Sequence, residues 1–251
     1  MTFLRECTIV YNRQLRMNLR NPAWVIIGML QPVLYLLLFG PLLKPLIGQF
    51  GASNAYTFFV PGMLVQLGVF GAFFAGFSLI GEWREGVIEA ERVTPASRTA
   101  LLLGRLMRDL LQLFVQALIL VGLGYAMGMH AGFRGVVVGI VLTLLIGGAC
   151  AAASNALALT TKSEDVMAPV INMVMMPVLL LSGILLPMTI GPDWLRRASD
   201  FMPIRWVVDA VRSAFGGQFD GSDMFWGTSW AVVLFGLALW WGTATFRREN
   251  S

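Results

Sequence analysis

The sequence predicts an all-α integral membrane protein with six transmembrane helices. Of its 251 residues, 57 % are apolar and only 13 % are charged, about half the ~25 % charged residues of ordinary soluble domains. A helix needs about 20 mostly uncharged residues to cross the hydrocarbon core of a bilayer. Six apolar runs meet that length and use most of the chain, so we expect a single transmembrane domain over 1–251. The runs are 24–43, 57–80, 106–127, 136–159, 167–186 and 225–246.

The segment 2–21, before the first run, has apolar residues at helical spacing among several arginines. Such a helix lies in the plane of the membrane interface, either as a simple basic anchor or as a contact for a cytoplasmic partner. Asn21-Pro22 ends it, because the residue before a proline is disfavoured in helical geometry. No small-residue cleavage site follows, so the first span is predicted to be an uncleaved anchor.

Basic residues set the predicted orientation, because Lys and Arg gather in short cytoplasmic loops. Six spans put both termini on one side, and cytoplasmic termini place twelve of the eighteen Lys and Arg residues inside. We therefore predict cytoplasmic N and C termini. The net charge of +4 reflects this topology and gives no reason to expect nucleic acid as a partner.

The second run, 57–80, has two contrasting faces. Gly68, Ala72 and Gly76 repeat every four residues on one face, and small residues allow close helix approach in lipid. Four phenylalanines fall largely on the other side, where they face either lipid or an apolar passage for a solute. They are Phe70, Phe73, Phe74 and Phe77.

The third run opens with charged residues. Arg105 precedes Asp109 by one helical turn, so we expect an ion pair between them near the membrane interface. A proton relay is disfavoured, because a charge at the bilayer centre is costly and Asp109 is only about one turn inside. Gln112 and Gln116 follow on the same side as Asp109.

The fifth run, 167–186, contains prolines, which kink helices, and methionines, which adapt to varied apolar shapes. A helix over this run would place four residues on one face. We hypothesise that this face lines the route of a hydrophobic solute, with ordinary core packing as the alternative. The four residues are Asn172, Met176, Leu179 and Gly183.

The stretch 188–216 is too polar to span a bilayer and too apolar for a free loop. It predicts two short amphipathic helices that meet at Pro203 and form a hairpin dipping into the outer leaflet. Trp194 suits the headgroup level, which indoles prefer. Arg205, Asp209 and Arg212 are spaced i, i+4 and i+7, so Asp209 can pair with both arginines.

Between the second and third spans, residues 81–105 concentrate charges of both signs. Apolar residues line one face of a predicted helix here, and glutamates and arginines occupy the others. Thr94-Pro95 ends that helix before a second one, which runs into the third span. A charged amphipathic helix can dock in the groove of a partner, whereas a solvated linker is the plainer alternative.

Three segments resemble the ABC-2 type permeases, in particular the daunorubicin-resistance DrrB-like branch of drug and lipid exporters, and the similarity covers nearly the whole chain. The first is similar to the coupling segment of that family. It consists of Glu82, Arg84, Glu85, Gly86, Glu89, Pro95, Ser97, Arg98 and the LLLGR of 101–105. The other two are the YTFFVPG of 56–62 and the outer residues Pro187, Trp194, Pro203, Asp209, Ala210 and Arg212.

The resemblance implies a six-span fold of the type V exporter kind in a bacterial plasma membrane. Two permeases, either identical or paralogous, would work with two cytoplasmic ABC ATPase subunits, which bind ATP and Mg. This chain would hold no cofactor or metal and would move a drug, antibiotic or lipid outward. The family's re-entrant helices map onto 193–215, and its route lies between spans two and five. The residues expected to couple to the ATPase are Glu82, Arg84, Glu85, Gly86, Glu89, Arg92 and Pro95.

Other functions have less support in the sequence. The chain has no G-x-x-x-x-G-K-[ST] loop for ATP phosphates. An ion-coupled secondary transporter would need buried carboxylates or repeated halves, and neither is evident. An intramembrane serine protease would need a base beside Ser154, but the only histidine, His130, is predicted at the outer rim. Export of a lipid-linked glycan stays open as an alternative.

Overall fold

The computed structural model describes residues 23–43, 54–87 and 98–248, with the isolated residues 8, 11–13, 15, 45 and 48. Most of the predicted interfacial helix 2–21 lies outside the described residues. Three residues of the predicted coupling set, Glu89, Arg92 and Pro95, also lie outside them.

All regular structure in the described part of the chain is helical, which confirms the all-α class. A short 3-10 turn, Met188–Ile190, lies between two of the helices. In chain order the helices are α1 (Ala23–Leu43), α2 (Ala55–Phe73), α3 (Ala75–Arg84), α4 (Arg98–Ala126), α5 (Phe133–Thr161), α6 (Glu164–Leu181), α7 (Asp193–Asp200), α8 (Pro203–Phe215) and α9 (Ser222–Arg248).

Five helical stretches of the described chain are long and apolar enough to cross a membrane. The remaining predicted span coincides with α1, in which the apolar stretch is the shorter Gly28–Leu42. The sixth crossing therefore stays a prediction. The five are Ala55–Arg84, which joins α2 and α3, Leu101–Ala126, Phe133–Thr161, Glu164–Leu181 and Ser222–Thr245.

Helix α5 is the centre of the packing, since it contacts α2, α3, α4, α8 and α9. Small residues permit this. A Cβ placed on Gly68 of α2 would lie 3.0 Å from the Thr143 backbone oxygen of α5, so the two helices approach along the small-residue face that the sequence predicts. In contrast, only 22 % of the apolar window of α6 and 11 % of that of α9 is buried. These two helices leave broad apolar faces for lipid or another subunit.

Two predicted spans differ from the helices observed. The second span is not continuous over 57–80, because it breaks at Phe74 and resumes as α3, which continues to Arg84. The fifth span ends at Leu181, five residues before its predicted end, and Gly183 has a φ of 72°. A left-handed residue cannot continue a right-handed helix, so Gly183 does not share the face of Asn172 and Met176.

Candidate functional site

The predicted coupling segment begins as a direct extension of the second span. Helix α3 ends at Arg84, with Glu85 as its C-terminal cap. Gly86 follows with a φ of 73°, and its backbone N–H donates to the Trp83 carbonyl at 3.1 Å. Glycine adopts this left-handed conformation without the steric cost of a Cβ. Glu85 is therefore joined directly to the end of α3.

Glu82 lies inside the protein, unlike the other described residues of the predicted coupling set. It is 7 % exposed, and its Oε2 accepts hydrogen bonds from Nη2 of Arg105 at 2.7 Å and from Nε at 3.2 Å. Arg105 is 2 % exposed. Glu82 thus joins α3 to α4, and its carboxylate is not presented to a partner.

The expected ion pair between Arg105 and Asp109 is replaced by two others. Asp109 accepts from its neighbour Arg108, with Oδ1 lying 2.7 Å from Nη2 and 2.9 Å from Nε. Arg105 turns to Glu82 of the adjacent helix, because that carboxylate approaches the edge of the guanidinium and receives two N–H groups.

The last turn of α3 also contacts the loop between α5 and α6. Arg84 Nη1 lies 3.2 Å from Glu164 Oε1 at the start of α6. Lys162, which ends α5 with a φ of 52°, places Nζ 4.7 Å from the centre of the Trp83 ring. Cation–π contacts and exposed ion pairs are individually weak. Together they attach the end of the second span to the beginning of α6.

A serine from α5 occupies the break in the second span. Ser154 Oγ donates to the Phe73 carbonyl at 2.5 Å and accepts from the Gly76 N–H at 3.1 Å. It thereby supplies partners to backbone groups at the interruption of the helix, which would be costly to leave unpaired in an apolar interior. This role, rather than that of a nucleophile, is what the structure gives Ser154.

A cavity of about 570 Å³ lies between α2, α3, α4 and α5, at the end of the molecule that carries the predicted coupling segment. This volume is within the range of ~300–1,000 Å³ found for small-molecule sites. Aromatic rings of Phe74 and Phe77 and small residues of α2, α3 and α5 give it an apolar wall. Its polar lining residues are Ser78, Arg108, Asp109, Gln112, Gln116 and Glu164.

The residues predicted for the solute route fall into separate places. Phe74 and Phe77 line the cavity, whereas Phe70 and Phe73 pack partly buried against the core. Asn172 and Met176 lie exposed on α6, and Met176 is 68 % exposed. Leu179 is partly buried and Gly183 is buried. One copy of the chain therefore does not bring the phenylalanines and the α6 face together.

The polar lining of the cavity was not predicted as part of a site. The sequence does carry a signal for it, because Asp109, Gln112 and Gln116 recur at helical spacing on one side of an apolar run. A row of polar side chains on a transmembrane helix is expected to face a cavity or another helix rather than lipid. Arg108 could not be assigned to the cavity in this way, because its position next to Asp109 does not indicate whether the two side chains are in contact.

At the opposite end, α7 and α8 occupy the stretch predicted to form the outer hairpin. Pro203 is the first residue of α8, and Trp194 on α7 is exposed. Arg205 pairs with Asp200 of α7 and, through Nε at 3.5 Å, with Asp209. These ion pairs connect the two helices across the turn that Pro203 begins.

Arg212 ties α8 to the end of α6. Its Nη2 donates to the carbonyls of Gly183 at 2.7 Å and Ile184 at 3.1 Å, and its guanidinium lies 4.3 Å from the centre of the Phe58 ring. Asp209 Oδ1 lies 3.9 Å from Arg212 Nη1. Burial lowers the pKa of Arg212 to about 10 and raises the pKa of Asp209, because both charged forms lose hydration.

Residues 5–215 match the family described as ABC-2 type transporter. The chain is similar to the daunorubicin resistance ABC transporter permease protein DrrB1 of Streptomyces coeruleorubidus, with 28 % identity over 200 residues, 78 % of this chain and 70 % of that protein. It also resembles ycf38 of Cyanophora paradoxa, named as a transport permease, with 27 % identity over 216 residues, 84 % of this chain and 74 % of that protein.

Proposed function

Because the chain belongs to the ABC-2 type transporter family, we propose that it is the membrane-spanning subunit of an ATP-driven exporter of hydrophobic or amphiphilic solutes. Members of this family are multi-pass membrane permeases that work with a separate ATPase. We propose that two copies of the chain, or one copy and a paralogous permease, assemble with two ATPase subunits that bind ATP and Mg. The setting we propose is a bacterial plasma membrane with both termini in the cytoplasm.

The observation that carries this proposal is the anchoring of the predicted coupling segment. Its first helical turns are part of α3, and Glu82, Trp83 and Arg84 contact α4 and the loop between α5 and α6. A push delivered near Glu85 would therefore reach three membrane helices at once. A solvated linker would need none of these contacts. The buried pair of Glu82 and Arg105 would also be costly in a linker, because both charges lose their hydration.

The exposed face of α6 supports a route at the contact between two permeases. Asn172 is exposed in the apolar part of this helix, beyond Glu164 and Asp165, and an amide facing lipid would lack hydrogen-bond partners. We place α6 against the second permease, with Asn172 and Met176 lining the passage between them. A DrrB1 relative named for daunorubicin resistance supports a drug-like or lipid-like solute and outward transport.

The coupling assignment is tested by reversing charge at Glu85 and Glu89. In the chain purified with its ATPase, the double change to Lys is expected to abolish co-purification and to remove solute-stimulated ATP hydrolysis, because the partner would then meet two added cations. Changing the exposed Asp193 and Asp220 to Lys alters the net charge equally at the other end of the chain, and should leave both readouts intact. Retained association and stimulation in the Glu85 and Glu89 variant would refute the assignment.

The route assignment is tested at Met176 and Leu179. Replacing both with Trp should reduce solute export at least fivefold, because the larger rings would narrow the passage, while ATP binding by the partner stays unchanged. Leu237→Trp places the same ring on an exposed apolar position of α9 and serves as the control. The measurement is the rate of solute export from proteoliposomes. Normal export by the double variant would show that the exposed face of α6 does not line the route.

A further inference from the structure

We propose that the cavity between α2, α3, α4 and α5 binds amphipathic amines, with the protonated N–H group at Asp109 and the apolar part along Phe74 and Phe77. This rests on the proposed function and adds to it a site within one permease and a substrate class. The site is distinct from the exposed α6 face, because none of the described α6 residues beyond Glu164 lines the cavity.

Only one of the two carboxylate oxygens of Asp109 accepts a hydrogen bond from a described residue. Both hydrogen bonds from Arg108 go to Oδ1, at 2.7 and 2.9 Å. Oδ2 is buried, and no described residue donates to it. A buried acceptor without a donor is costly, more so when it carries charge. A ligand N–H group in the cavity would satisfy this oxygen once the carboxylate turns toward it, whereas a carboxylate or phosphate would bring a second acceptor to it.

The charges around the cavity favour a cation. Among the described lining residues, one is basic, Arg108, and two are acidic, Asp109 and Glu164. Arg108 is already engaged with Asp109 and lies 3.3 Å from Ser78 Oγ. Glu164 also pairs with Arg84, but that pair is exposed and leaves the carboxylate accessible. Phe74 and Phe77 lie close together, with ring centres 5.9 Å apart, and offer an aromatic surface to the apolar part of the ligand.

The apolar wall has room for the rest of an amphiphile. A Cβ placed on Gly71 or Gly81 would meet no atom within 4 Å, although both glycines line the cavity. Their lack of a side chain is therefore not required by helix packing. It leaves open space beside Phe74, which is 58 % exposed.

Binding of radiolabelled dodecylamine to the full chain in phosphatidylcholine nanodiscs tests the proposal, with empty nanodiscs subtracted. We expect saturable binding that unlabelled dodecylamine displaces at least tenfold better than dodecyltrimethylammonium, which has the same charge but no N–H, and better still than dodecanoate. Equal displacement by all three would overturn the proposal. The assay needs no ATPase, so an absence of amine binding would not change the result of the Glu85 and Glu89 experiment. Likewise, refutation of the coupling assignment would not affect amine binding.

Two variants locate the site. Asp109→Asn should weaken dodecylamine binding at least tenfold, since a hydrogen bond to a charged group is lost. Gly71→Leu should do the same by filling the cavity without removing a charge, and it decides the question if the Asp109 variant does not fold. Gly122→Leu, on α4 at a position that is equally open but outside the cavity lining, should bind normally. Unchanged binding by Gly71→Leu would refute the site.

The ammonium group could come from a soluble amine or from a lipid headgroup. Nanodiscs containing phosphatidylethanolamine separate these sources, because its headgroup carries N–H donors and that of phosphatidylcholine does not. Weaker apparent dodecylamine binding in phosphatidylethanolamine would support a lipid source, and unchanged saturable binding a soluble one.

Discussion

Glu82→Gln is expected to lower the free energy of unfolding by about 3–5 kcal/mol, the usual effect of removing one partner of a buried ion pair. Arg105, at 2 % exposure, would lose the carboxylate that receives both its Nη2 and Nε groups. The joint between α3 and α4 would loosen at the same time. We therefore also expect weaker stimulation of the partner's ATP hydrolysis by solute.

Glu85→Gln is the matched control, because it removes the same charge three residues away at an exposed position. Surface changes of this kind usually stay within about 0.5 kcal/mol. Unfolding in mixed micelles, followed by circular dichroism, measures both variants. Exchanging the two charges, as Glu82→Arg with Arg105→Glu, should recover part of the loss. Equal stability of Glu82→Gln and Glu85→Gln would show that the buried pair does not stabilise the fold.

Arg212→Met is the second change with a large expected effect, a loss of about 3 kcal/mol. Methionine fills much of the same space but donates no hydrogen bond to the Gly183 and Ile184 carbonyls, and it leaves Asp209 with Arg205. The segment after α6 would then lose the two hydrogen bonds that join it to α8. We expect faster proteolysis in the 182–192 segment and leakage of solute through the reconstituted complex without ATP.

Arg197→Met provides the comparison, since Arg197 is an exposed arginine of α7 at the same end of the molecule. Its unfolding free energy and proteolysis rate should match those of the unmodified chain. If Arg212→Met is equally resistant to protease, the contact between α6 and α8 does not depend on this guanidinium.

The helices themselves were predictable from apolar runs, because a bilayer imposes a length on every span. The fourth run, 136–159, lies inside α5, and the sixth, 225–246, lies inside α9. Contacts within one helix were predictable too. Asp209 lies near both Arg205 and Arg212, as their spacing indicates.

Contacts between helices were not predictable from spacing. Arg105 could have paired with Asp109 one turn away, but Glu82, 23 positions earlier, approaches it from another helix. Ser154, which bonds to the backbone at the break near Phe74, is 78 positions from Gly76. No local pattern in the second run marks Phe74 as the position of a break, since position 74 is neither a glycine nor a proline.

The polar part of the cavity could be predicted only in part. The side of the helix that carries Asp109, Gln112 and Gln116 could be predicted, but the open space in front of it could not. That space depends on how closely α2 and α5 approach, and the approach is limited by backbone contacts such as that of Gly68 with Thr143. The size of that space is set by the side chains of three helices, and one sequence does not show which of these side chains contact each other.

The hydroxyl of Ser154 bonds to the backbone where the two helices of the second span, α2 and α3, meet at Phe74. Because the Phe73 carbonyl and the Gly76 N–H already bond to this hydroxyl, we expect the angle between α2 and α3 to change at this point without unwinding of either helix. Helix α3 has 10 residues and is about 15 Å long at 1.5 Å per residue. A tilt of α3 by about 20° would move its tip by about 5 Å, roughly one helical turn, and the contacts of Glu82, Trp83 and Arg84 would carry that movement to α4 and to the loop between α5 and α6.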